Sequence, residues 1–85
     1  MKNFNDLIFN PHSIAEYPDF SEAKQAVEKF NNGYSVSVLS GKPFYSNGID
    51  TYELAVIYSG NIVKVIGNLS AKKITEIMER IQNEP

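Results

Sequence analysis

The stretch PDFSEAKQAVEKFNNG, residues 18–33, sets how many helices the fold contains. Asp19 stands three residues before Glu22, the reciprocal capping-box spacing that opens a helix. Phe20, Ala23, Val27 and Phe30 then recur every three or four residues, and Ala26 widens the stripe. Asn31-Asn32-Gly33 ends it, with Gly33 free to take the left-handed conformation of a C-terminal cap. The spacing predicts a helix with one apolar face.

Beyond Gly33 the pattern alternates instead. In YSVSVLS, residues 34–40, Tyr34, Val36 and Val38 face one way and Ser35 and Ser37 the other, as in a half-buried strand. TYELAVIYS, residues 51–59, is a second strand with Tyr52, Leu54, Val56 and Tyr58 on one face and Glu53, Ala55 and Ile57 on the other. Ser59-Gly60-Asn61 is a turn signal, and NIVKVI after it is a third strand with Val63 and Val65 opposed to Lys64. Ahead of the first helix, Leu7-Ile8-Phe9 is a short strand candidate, and Pro11 and Pro18 bracket an irregular segment.

The C-terminal segment carries the clearest helix. Ser70 is a good N-cap, and Leu69 before it can staple onto Ile74. Ile74, Ile77, Met78 and Ile81 form the apolar stripe; Lys72, Lys73, Glu76, Glu79 and Arg80 fall on solvated faces. The expected order is short β, α, β, β, β, α. Short turns make the strands an antiparallel meander of three to four, and both helices bury their stripes on one face of it. The fold class is a two-layer α+β sandwich.

The loop SGKPFYSNGIDTYE, residues 40–53, tests the register of the central hairpin. A two-residue turn at Asn47-Gly48 would set Val38 opposite Ile57 and point the two apolar faces in opposite directions. One extra residue on either strand repairs this, and Gly41 and Pro43 are where a bulge or break belongs. Phe44 and Tyr45 would then ride on a projecting tip. Lys42, Phe44, Tyr45, Asn47, Asp50 and Tyr52 are the candidate binding residues of this loop.

The bulk numbers exclude more than they assign. The 85 residues make one domain, residues 1–85, and a chain of this size buries about 60–65% of its unfolded surface. With 42% apolar and 21% charged residues it is globular in composition. A formal charge of −2 with scattered Lys and Arg argues against a nucleic-acid or anionic-membrane footprint. The lack of cysteine excludes disulfides, thiolate nucleophiles and Cys-based metal sites, and fits a reducing cytoplasm. The apolar run Leu7–Phe9 is too short for a signal peptide or a membrane span.

Catalytic patterns fail one by one. His12 is the only histidine, so no imidazole pair exists, and next to Pro11 it reads as a surface or packing residue. No Gly-x-Ser-x-Gly elbow is present. Gly41-Lys42 superficially matches a phosphate loop, but Val36 replaces the first glycine and Pro43 the Ser/Thr. The 10 carboxylates include no Glu-x-x-His or Asp-x-Asp-x-Asp spacing. Asp50 and Glu53, flanking Tyr52, would hold a cation only weakly. The expectation is a protein that is not an enzyme and has no metal or cofactor.

Three blocks, FNNGYSVSV (30–38), YELAVI (52–57) and VIGNLSAKKITEIMERIQ (65–82), resemble a family of small uncharacterised proteins encoded by tailed bacteriophages and prophages. The resemblance spans residues 25 to 82 and implies origin more than chemistry, because none of its blocks is a catalytic signature. It implies a non-enzymatic protein of the host cell cytoplasm that binds a host protein or complex, for instance to inhibit a defence system. The residues leave two other classes open. Phe44, Tyr45, Tyr52 and Lys42 suit a small-molecule or nucleotide binder, a signal sponge. The third class is a structural or assembly accessory protein. The sheet face opposite the helices, with Ser35, Ser37, Glu53, Ala55 and Ile57 joined by Leu39, Ile62 and Ile66, is a candidate homodimer surface.

Overall fold

Backbone pairing, not side-chain periodicity, settles the stretch that reads as the first helix. A computed structural model describes residues 1–41 and 50–85. In it residues 18–33 form a 3-10 turn, Pro18–Phe20, and a strand, Lys24–Lys29. Asp19 caps nothing: the turn's N-cap is Tyr17, without a side-chain cap bond. The expected helix is therefore corrected to a strand. Its six residues pair one for one with Ser40 down to Ser35. The stripe of Phe20, Ala23, Val27 and Phe30 satisfies helical spacing, but periodicity is a weak prior that tertiary pairing overrides. In the sheet all six residues pair with β3, and Lys24 and Gln25 pair with β1 as well. Gly33 does take a positive φ, +89°, but as part of the strand-to-strand turn.

The sheet has five antiparallel strands in sequence order: β1 Asn10–Pro11, β2 Lys24–Lys29, β3 Tyr34–Ser40, β4 Thr51–Tyr58 and β5 Asn61–Ser70. One helix, α1 (Ala71–Gln82), packs on one face. Among the described residues, five strands and one α-helix replace the expected three or four strands and two helices. The N-terminal strand also sits elsewhere than expected. Leu7–Phe9 is not a strand; residues Phe4–Asp6 form a 3-10 turn closed by a reciprocal cap between Asn3 and Asp6, and β1 starts at Asn10. Pro11 confines β1 to a two-residue edge.

β3 and β4 pair with Val36 opposite Val56 and Val38 opposite Leu54. That register puts both apolar faces on the same side, as burial demands, and it lies three positions from the one a bare Asn47-Gly48 turn would give. The expected turn at Asn47-Gly48 and the break at Pro43 lie outside the described residues. At Gly41, the other expected break, β3 has just ended and φ is +93°. Between β4 and β5 the turn residues Ser59 and Gly60 both have positive φ, 50° and 83°, the condition of a type I′ hairpin turn.

Val36, Val38, Leu54, Val56 and Leu69 of the sheet meet Ile74, Met78 and Ile81 of α1 in one core. Each such side chain contributes about 1.5–3 kcal/mol on leaving water. The start of α1 matches its sequence signature: Ser70 Oγ accepts from the Lys73 amide at 3.2 Å, and Leu69 and Ile74 are both buried in that core. The far end is closed from outside the helix. Asn32, in the β2–β3 turn, donates its Nδ2 to the carbonyls of Ile81 at 2.9 Å and Glu84 at 3.0 Å. The N-terminal arm crosses α1 as well, with the Lys2 amide donating to Gln82 Oε1 and the Phe4 amide to Thr75 Oγ1. No helix among the described residues is long and apolar enough to cross a membrane.

Candidate functional site: an open sheet face, an apolar edge and an aromatic hollow

Because the single helix covers one side, the register lays out the other as a grid. One row runs Lys29, Ser35, Ile57, Ile62 across β2 to β5; the next runs Val27, Ser37, Ala55, Val65; the third runs Gln25, Leu39, Glu53. Ser37 and Ala55 at the centre are small and buried among their neighbours, and Gln25 Nε2 donates to Ser37 Oγ at 2.8 Å. Around them Val27, Val65 and Ile62 are 56%, 50% and 65% exposed. Most of the face expected from alternation is therefore here, with one correction. Ile66 pairs with Leu54 and packs against the helix-side core, because the register shift between Val56 and Ile57 inserts Val63 into β5 and so turns Ile66 to the face opposite Ile62. Val27 joins the face although its place in a helical stripe assigns it elsewhere.

β5 forms one edge of the sheet, and among the described residues no strand pairs beyond it. Asn61, Ile62, Val63, Lys64 and Val65 are all exposed, so a ten-residue edge shows three apolar side chains and a single charge. Val63 sits at a second register shift, between Ile62 and Lys64, where it has no residue opposite. The other border is guarded differently. β1 has two residues, and the rest of β2 carries Glu28 and Lys29. Proteins usually blunt edges in that second way, with short strands, proline and charge.

Of the candidate loop residues, Lys42, Phe44, Tyr45 and Asn47 lie outside the described residues. Asp50 is exposed at the start of β4. Tyr52 is half-buried on the helix side, where its ring centroid lies 5.1 Å from Phe4 and 5.7 Å from Phe9. These rings line a hollow of about 450 Å³, with Lys24 and Ser40 on its walls. Lys24 has no carboxylate partner among the described residues, whose one ion pair is Lys73–Glu76 at 3.7 Å on the exposed side of α1. Phe4, Phe9 and Lys24 were not anticipated in any site. The Asn3-to-Asp6 spacing, which fixes the turn holding Phe4, was their only signal in the sequence.

His12 is half-buried, and its Nδ1 accepts from the Ile14 amide at 3.1 Å, a local turn contact. Among the described residues no three His, Cys, Asp or Glu side chains gather as metal ligands would. The three features are an open sheet face, an exposed apolar strand edge and an aromatic-lined hollow. Set against family models, curated proteins and solved structures, the chain finds no match in any of the three.

Proposed function

We propose that this chain is a small non-enzymatic binding protein that captures an extended segment of a partner protein along the outer edge of β5. The observation that carries the reading is that edge: exposed from Asn61 to Val65, apolar at Ile62, Val63 and Val65, and guarded there by Lys64 and the register shift at Val63 alone. Its backbone N–H and C=O groups repeat at strand spacing, and a partner strand satisfies such a row with matching groups. The resemblance to phage-encoded proteins supports a host protein as that partner, held in the host cytoplasm so that a defence function is blocked.

The test is affinity capture from bacterial lysate with the intact chain and with Val63→Pro. Proline is tolerated at a register shift but removes an amide and crowds the edge. A partner lost with Val63→Pro, whose binding slows hydrogen exchange at residues 61–66, is the expected result. Equal capture by both forms would reject the edge.

The hollow beside Tyr52 favours a second reading, a binder of small aromatic anions such as nucleotides. Three aromatic rings, and a Lys24 without a carboxylate partner among the described residues, suit stacking and charge neutralisation. Thermal-shift measurements with nucleotides and cyclic nucleotides separate the two. A ligand that raises Tm, and fails to do so in Lys24→Gln, would support it; no shift with any compound removes it.

A further inference from the structure

We infer that the open sheet face binds a second copy of this chain, face to face about a two-fold axis through Ser37. This dimer is separate from the edge reading, because stacking the faces leaves the outer edge of β5 uncovered on both copies.

Charge sets the axis. Only Lys29 and Glu53 are ionic on the grid, and neither has an ion-pair partner among the described residues. They occupy opposite corners. From Lys29 to Glu53 is two strands across and four residues along, about 17 Å at usual sheet spacings. Ser37 lies at the midpoint of that diagonal, one strand and two residues from each end. A two-fold axis in the plane of the interface, through Ser37 and perpendicular to the diagonal, sets each Lys29 over the other copy's Glu53. Two salt bridges form from one symmetry operation.

The same axis fixes every other contact, and these pair like with like. Ile57 falls beside the partner's Val65, Val27 beside the partner's Leu39, and Ile62 meets its own copy on the axis. Ser35 stacks near the partner's Ala55, so the small residues lie where the sheets approach most closely. The strands of the two copies cross at about 70°, in the neighbourhood of the orthogonal class of sheet packing. No like charges are brought together. A second copy presents Lys29 and Glu53 at the same separation by identity, so both charge pairs form without further coincidence.

The face is four strands wide and five residues long, about 300 Å² in outline on each copy, which is below the standard interface size and makes the dimer a weak, transient one. It should be reversible. Sedimentation equilibrium of the full chain between about 5 and 500 µM should show the mean mass rising towards that of two copies, as a small interface requires. Lys29→Glu alone and Glu53→Lys alone each create like-charge contacts and should weaken association at least about tenfold, while the double exchange restores it to within about threefold. Both sites are at least partly exposed, and circular dichroism should show the variants folded alike. A chain that stays monomeric to about 500 µM overturns the inference and leaves the face to a different protein. A double exchange as weak as the single ones overturns the axis and with it the proposal.

Discussion

At the residue scale, two positions hold their neighbours through geometry that no other side chain supplies. Gly41 has φ +93°, and a Cβ there would stand 3.0 Å from the Glu22 carbonyl oxygen and 3.3 Å from Ala23 Cα. Both obstacles are backbone and cannot swing aside. Gly41→Ala should therefore cost about 2 kcal/mol or more, read as a lowered denaturant midpoint at unchanged slope. Asn32 joins three partners, since its Oδ1 also accepts from the Tyr34 amide at 3.2 Å. Asn32→Ala leaves the last carbonyls of α1 and one turn amide without it, a loss of about 1–2 kcal/mol by thermal or chemical unfolding. The sequence marked both residues as chain breakers. Apart from the Tyr34 amide beside Asn32, it did not show what each would touch, because those contacts come from segments 18 or more and 49 or more residues away.

At the scale of elements, β2 is the instructive case. KQAVEK contains good helix formers and one β-branched residue, so local preference leans towards helix. Pairing with β3 overrides it, since each of the six residues gains a partner in the ladder. Ala26 is 1% exposed opposite Val38, so helix and strand give opposite expectations for Ala26→Leu. On a helical stripe the larger side chain would add buried area. In the closed sheet it overpacks, and a loss of about 1–3 kcal/mol in a denaturant titration is expected. α1 shows the contrary situation: its cap, its staple and its stripe of Ile74, Met78 and Ile81 all agree, and it formed where the sequence placed it.

At the scale of the whole molecule, one helix covers one sheet face, and an arm of irregular chain completes the cover. Phe4, Leu7 and Phe9 pack against the core, while Lys2 and Gln82 exchange two hydrogen bonds, at 2.8 and 2.7 Å. Removing residues 1–9 should expose the Tyr52 end of the core and cost about 3 kcal/mol. For a domain of this size that lowers Tm by about 12–24 °C, measurable by circular dichroism. The open face and the β5 edge are what remain uncovered, so the candidate surfaces follow from the number of helices. A second helix in the place of β2 would have changed that count, which is why one misread segment alters the site as well as the fold.

Short-range physics was legible along the chain: the capped helix α1, the alternation of β3 and β4, the turn at Ser59-Gly60, and the parity that puts Val36 and Val38 beside Leu54 and Val56. Caps, turns and periodicities act over a few residues and can be read directly. Three features emerged only with the folded arrangement: the strand at residues 24–29, the inward turn of Ile66, and the N-terminal arm that closes the aromatic cluster around Tyr52. In none of these does local preference decide the outcome. Pairing and burial between residues far apart in the chain tip the balance, and that energy exists only once the partner segment is in place.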